Sequence, residues 1–163
     1  MNDVGDPPGR IRPATAEDAE VVADIYLAAR AAAVPAMPPL IHADDEVRTW
    51  VRETVLPLHD VRVAALEGMV LAMMVLYPGW LDHLYVRPEL WGHGIGSSML
   101  AEAKMLQPHG LETWVSASNA GARRFYERHG FVEVEHGDGA GNDEGEPDVL
   151  YRWVPVTTPK ERA

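Results

Sequence analysis

Hydrophobic and polar positions along the chain follow two periods, and the switches between them mark its elements. After the short run "RIRPAT", Thr15 stands as a helix N-cap with Glu17 and Asp18 in the first turn. The Ala-rich amphipathic stretch that follows predicts a helix to about Ala33. "VPAMPPLIH" carries too many prolines for a helix and predicts a loop or extended connector. A second helix is expected from about Ala43 to Val55, opened by the acidic run "ADDE". Three strand-like runs come next, "VRVAAL", "MVLAMMVLY" and "WLDHLYV", parted by the turn pairs Glu67-Gly68 and Pro78-Gly79, so antiparallel neighbours are expected. Ile95, Met99, Leu100, Ala103 and Leu106 then fall on one face at helical spacing. "LETWVSA" predicts a strand, "NAGARRFYERHG" a short helix ended by Gly130, and "FVEVE" and "VLYRWVPV" two further strands around a polar loop. The order βααβββαβαββ indicates an α+β fold: a mixed, mostly antiparallel sheet with about four helices. Residues 1–9 and 157–163 are expected to be flexible ends of one domain spanning 10–156.

Composition narrows the class. With 163 residues, 47% hydrophobic and 24% charged, the chain has the make-up of one soluble globular domain. It contains no cysteine, so disulfides, thiolate zinc sites and a cysteine nucleophile are excluded, and a cytoplasmic location is expected. No apolar run is long enough for a membrane span, and the first residues lack the apolar core of a signal peptide. A net charge of −11 argues against a nucleic-acid partner, whose phosphates are bound through Lys and Arg. It leaves room for a small anion held by main-chain groups.

The stretch "RPELWGHGIGSSML" sharpens that last point. Gly92, Gly94 and Gly96 alternate just where a helix begins. Glycine inside an element costs roughly 0.5–1 kcal/mol relative to alanine, so the placement asks for a sharp turn or a close approach by something else. A P-loop is excluded, because "GIGSS" has no lysine. A dinucleotide fingerprint, and with it a nucleotide-dependent oxidoreductase, fits poorly. The spacing is G-x-G-x-G, "RPEL" separates the glycines from the strand, and the acid Glu112 starts its strand rather than ending it. Two readings remain at this point: a pyrophosphate cradle of main-chain N–H groups backed by a helix dipole, and a tight turn without a ligand.

"WGHGIG" resembles the cofactor motif Arg/Gln-x-x-Gly-x-Gly/Ala of the GNAT superfamily of N-acetyltransferases. "SNAGARRFYERHGF" resembles a second signature of that family through Asn119, Ala122, Tyr126, Gly130 and Phe131. The two lie in the right order and spacing, and the resemblance spans roughly residues 10–156. It implies acetyl-CoA as co-substrate and a primary amine of a small molecule or peptide as acceptor. By the same resemblance, backbone groups of Leu84 and Val86, flanking Tyr85, pair with the pantetheine arm where the sheet splays. Amides from Gly92 through His93, Gly94, Ile95 and Gly96 to Ser97 hold the pyrophosphate. The Leu84 N–H faces the thioester oxygen, and Asn119 contacts the cofactor near the pantetheine. Trp91 departs from the family's Arg or Gln, with Arg87 or His93 as candidate replacements for the lost contact. A homodimer is common among similar proteins.

Acetyl transfer to an amine needs a base, because an alkylammonium with a pKa near 10 must lose about three units, roughly 4 kcal/mol, to attack at neutral pH. It also needs a donor to the departing thiolate. Tyr126 matches the family's general acid, and would need a lowered pKa or a role as hydrogen-bond donor. Asp82 and His83, on the strand leading to the cofactor, are the candidate bases. Strict alternation puts them on opposite faces unless a bulge intervenes. Glu112, Glu133 and a relay of waters are further candidates. Arg123 and Arg124 could meet a cofactor phosphate, and Met69, Met73 and Met74 are expected in the core. "GDGAGNDEG" lacks the frame of a calcium loop, and the seven histidines show no paired metal spacing. The segment Asn142–Asp148 is expected to be solvated loop or to line the acceptor pocket, together with "AVPAMPPLIHADD". The acidic balance favours a cationic acceptor. A non-catalytic acyl-CoA-binding module of the same fold is the alternative function.

Overall fold

Seven strands form one sheet in a computed structural model of the chain, which describes residues 9–156. The ends expected to be flexible lie, apart from Gly9, outside the described residues. The strands are β1 (Arg10–Pro13), β2 (Asp60–Leu66), β3 (Met69–Tyr77), β4 (Trp80–Val86), β5 (Leu111–Ser116), β6 (Val132–Gly137) and β7 (Asp148–Trp153), in the spatial order β1-β2-β3-β4-β5-β7-β6. Every neighbouring pair is antiparallel except β4 and β5. Among the described residues the helices are α1 (Ala19–Ala32), α2 (Asp44–Trp50), α3 (Ile95–Leu106) and α4 (Ala120–Arg128), which reproduces the expected order of elements.

β3 shows why this sheet needs helices on both sides. Its apolar run has no polar alternation, and its side chains divide by parity. Ala72, Met74 and Leu76 join a core with Ile95, Met99 and Leu100 of α3 and Tyr126 of α4. Met73 and Val75 join a second core with Val22, Ile25 and Tyr26 of α1 and Val47 of α2. A strand buried on both faces reads as continuous hydrophobicity. Met73 and Met74 are core residues as expected, whereas Met69, at the mouth of the β2–β3 turn, is 57% exposed. That hairpin turns on Glu67 and Gly68, both at positive φ (50° and 81°), the two-residue geometry whose twist matches the flanking strands.

Two local departures bear on the site. The second helical segment was expected to end near Val55. Instead α2 passes through a π-helical turn (Val51–Val55) into a last turn (Leu56–Leu58). Pro57 has no N–H to give the preceding turn, and the wider turn before it absorbs the mismatch. In the β3–β4 pairing, Val75 faces His83 while Leu76 faces Leu81, so Asp82 is an extra residue without a partner: a β-bulge.

Leu100, fully buried where α3 meets the sheet, reports on this packing. Leu100→Ala is expected to lower unfolding free energy by about 2–5 kcal/mol in urea titrations. A loss below about 1 kcal/mol would mean that the α3 face is not packed as described.

Candidate functional site

The site begins where two parallel strands part. β4 and β5 share one register position, Trp80 opposite Glu112, beside a hydrogen bond from the Glu112 N–H to the Gly79 carbonyl (2.9 Å). Beyond it the strands separate around an open groove of about 1250 Å³ lined by both. The register fixes which peptide groups face that groove. The Arg87 N–H donates to the Leu71 carbonyl (3.0 Å), and bonded positions alternate along an antiparallel pair. Tyr85 therefore spends its peptide groups on β3, while the N–H and C=O of Leu84 and Val86 point to the groove.

At the end of β4 the glycines divide into two kinds. Gly92 and Gly94 both sit at φ 81°, and a Cβ built on either meets nothing within 4 Å. Their requirement is conformational: they turn the chain into α3. Gly96 is helical, and its Cβ would touch only Phe125 and Val86 at 3.6–3.8 Å, an ordinary contact. The first main-chain bond of α3 runs from Ser98 N–H to Gly94 O (3.1 Å). Among the described residues, the N–H groups of Ile95, Gly96 and Ser97 have no protein acceptor. Three free donors at the positive end of a helix dipole, in a groove, fit a diphosphate.

The candidates for replacing the family's cation at Trp91 fare differently. Arg87 is committed, its Nε donating to the Val70 carbonyl (2.7 Å). His93 is exposed and is not among the residues lining the groove. Trp91 itself lines the groove and donates its indole N–H to the Val86 carbonyl (2.9 Å), one of the two acceptors that β4 offers there. Asn119 also lines the groove and caps α4 by accepting from the Ala122 N–H (3.1 Å).

Two titratable groups flank the groove from opposite sides of the sheet. Tyr126, on α4, is buried to 8% exposure. Burial pushes its hydroxyl well above the ordinary tyrosine range, Tyr85 adds to this, and a hydrogen bond with Thr113 offsets it only in part. The lowered pKa that a full proton donor requires is thus absent. On the α1 side, the bulge at Asp82 breaks the alternation and brings its carboxylate to 3.1 Å from His83 Nε2. The Asp82 carboxylate also accepts from the Tyr77 hydroxyl (2.6 Å). Burial pushes the Asp82 carboxyl up, but the hydrogen bonds from His83 and Tyr77 outweigh it and keep the group below its ordinary value. His83 is set among rings, edge-on to Tyr26 and Trp50 at 5.4 and 5.6 Å and stacked with Tyr85 at 5.9 Å. Both Asp82 and His83 line the groove.

The far end of the groove is closed by two segments distant in sequence. Arg30 of α1, buried to 6% exposure, donates to the Pro38 carbonyl (3.1 Å) and to Glu144 (3.0 Å). The loop after α1 and the 138–147 loop are thereby tied together, and Asn142, Glu144, Glu146 and Asp148 line the groove as expected. Asn142 also donates to Asp148 (3.1 Å). Arg30 gave no signal in the sequence, being one basic residue in the last turn of an Ala-rich helix.

Several expectations are corrected by their surroundings. Arg123 is spent on the Tyr151 hydroxyl (3.0 Å), the Ala117 carbonyl and Glu133, far from a free phosphate ligand. Glu133 is held by Arg123 and His136, and Glu112 by Arg152, so neither is available as a base. Among the described residues no group of histidines and carboxylates could hold a metal ion.

The two kinds of glycine give a test. Gly94→Ala must place a Cβ at φ 81° and should cost about 1–2 kcal/mol of stability. Gly96→Ala, in a helix with room for a methyl, should leave stability unchanged or raise it by up to about 1 kcal/mol. Thermal and urea unfolding of both variants check this; equal losses would contradict the distinction.

Against known proteins, an acetyltransferase (GNAT) domain model matches residues 49–133, just over half of the chain. The fold is similar to the apo form of YjaB from Escherichia coli (24% identity, TM-score 0.74), covering 90% of this chain and 98% of that one. It is similar to a GCN5-related N-acetyltransferase from Rhodopseudomonas palustris (20%, TM-score 0.75), covering 91% and 97%. It also resembles yncA from Salmonella typhimurium, solved with its cofactor acetyl-CoA (18%, TM-score 0.69), covering 94% and 98%. No curated protein sequence matches significantly. Among the described residues no helix is long and apolar enough to cross a membrane.

Proposed function

The chain belongs to the GNAT acetyltransferase family, and on that premise we propose that it transfers acetyl from acetyl-CoA directly to a primary amine bound in the same groove. One observation carries this reading. A splayed strand with free main-chain groups lies beside a helix start with three free N–H donors, and Tyr126 and the Asp82–His83 pair flank the same groove.

Acetyl-CoA supplies the activated acyl group. The N–H groups of Ile95, Gly96 and Ser97 hold its diphosphate, and Leu84 and Val86 align the pantetheine arm as an added strand would be aligned. Trp91 must yield its bond to Val86 or share that carbonyl. The Leu84 N–H stabilises negative charge on the thioester oxygen. Because burial keeps its proton in place, Tyr126 serves as a hydrogen-bond donor to the departing sulfur. His83 is the base: Asp82 accepts from its Nε2–H, which leaves Nδ1 with a lone pair for the amine proton. The absence of cysteine supports direct transfer without a covalent enzyme intermediate. Asp82, Glu146 and Asp148 along the groove support a cationic acceptor, a small-molecule amine or a peptide terminus.

Release of CoA against a panel of primary amines tests the proposal. Tyr126→Phe should lower kcat at least about tenfold while leaving cofactor affinity within about twofold, since it removes a bond made at the transition state. His83→Ala should abolish the rise of kcat/KM with pH through the imidazole range. Tight cofactor binding without turnover on any amine would instead identify a non-catalytic acyl-CoA-binding module.

A further inference from the structure

His129 links the end of α4 to the start of α3. Its Nδ1 lies 2.7 Å from the Phe125 carbonyl and its Nε2 lies 3.1 Å from the Ser97 hydroxyl. Both Ser97 and His129 line the groove. A carbonyl only accepts, so Nδ1 carries a proton. In the neutral ring Nε2 is then an acceptor, and the Ser97 O–H must donate to it. That arrangement turns the lone pairs of Ser97 outward, towards the space assigned above to phosphate oxygens. Two acceptors would face each other.

One change removes the conflict. Ser97 rotates its proton to a phosphate oxygen, and a proton from solvent attaches to Nε2, which then donates to Ser97 Oγ. The imidazolium also supplies positive charge beside the diphosphate, where Trp91 has none to give and Arg87 is committed elsewhere. The charged groups around the ring agree with this. Lys104 of α3 donates its ammonium to the His129 carbonyl and packs over Phe131 and Trp153, and Arg128 of α4 lines the groove. Among the described residues no carboxylate bonds His129, so its charge answers to the ligand rather than to a resident acid. Resting on the cofactor reading above, we propose that binding of the coenzyme A diphosphate is coupled to uptake of a proton by His129, passed on through Ser97. His129 is a positioning residue: it acts on the ligand through the serine.

Titration calorimetry in two buffers of different ionisation enthalpy counts the protons. Dephospho-coenzyme A is the probe, because the 3′-phosphate of the full cofactor itself titrates near pH 6. The wild type should take up about half a proton per ligand at pH 7, and its affinity should fall about fivefold from pH 6.5 to 8.5. His129→Gln should show neither effect. Ser97→Ala, which keeps the main-chain N–H and the imidazole but removes the relay, should also lose the uptake, and it covers the case in which His129→Gln fails to fold. Binding without uptake in the wild type, or equal uptake in Ser97→Ala, overturns the proposal and leaves the cofactor reading intact. Absence of binding by the folded wild type overturns both.

Discussion

β4 and β5 are held together at Trp80 and Glu112 alone, and the peptide groups beyond that point must find other partners or stay in water. Unpaired main-chain groups in a partly buried cleft are costly, which makes such a splay rare unless something occupies it. Here the register decides that Leu84 and Val86 carry the open groups and that Tyr85 does not. The turn at Gly92 and Gly94 then sets the free N–H groups of α3 beside them. One topological fact, a single parallel pair in an otherwise antiparallel sheet, thus creates both an extended binding edge and a helix start aimed at it.

The same geometry distributes the chemistry over two layers. α4 presents Tyr126 from one face, while the bulge in β4 brings Asp82 against His83 on the other. A bulge re-aims side chains at the cost of ladder bonds, and here it turns two residues that alternation would separate into a pair. The aromatic setting of His83, among Tyr26, Trp50 and Tyr85, holds that ring in place.

The order of elements was legible in the sequence because its signals are local: period, turn pairs such as Glu67-Gly68, and caps such as Asn119. The glycine cradle and the α4 signature were legible as motifs. The bulge was expected only as a condition, and the structure meets it at Asp82. What stayed hidden depends on residues far apart in the chain. Arg30 meets Glu144 across 114 positions, Trp91 turns its indole on Val86, and His129 reaches Ser97. No period or spacing encodes such meetings, since they follow from how helices dock on the sheet. Met69 was misplaced for the same reason: a hydrophobic residue at a strand end is core only if the neighbouring turn covers it, and this turn does not.

The central claim is that main-chain groups of β4 and the first turn of α3 bind the cofactor. A ¹⁵N-resolved amide spectrum of the labelled protein, recorded as acetyl-CoA is added, tests it most directly. The largest shifts should fall on Ile95, Gly96, Ser97, Leu84 and Val86. Shifts confined to β6 or to the second helical segment, or none at saturating cofactor, would contradict the account.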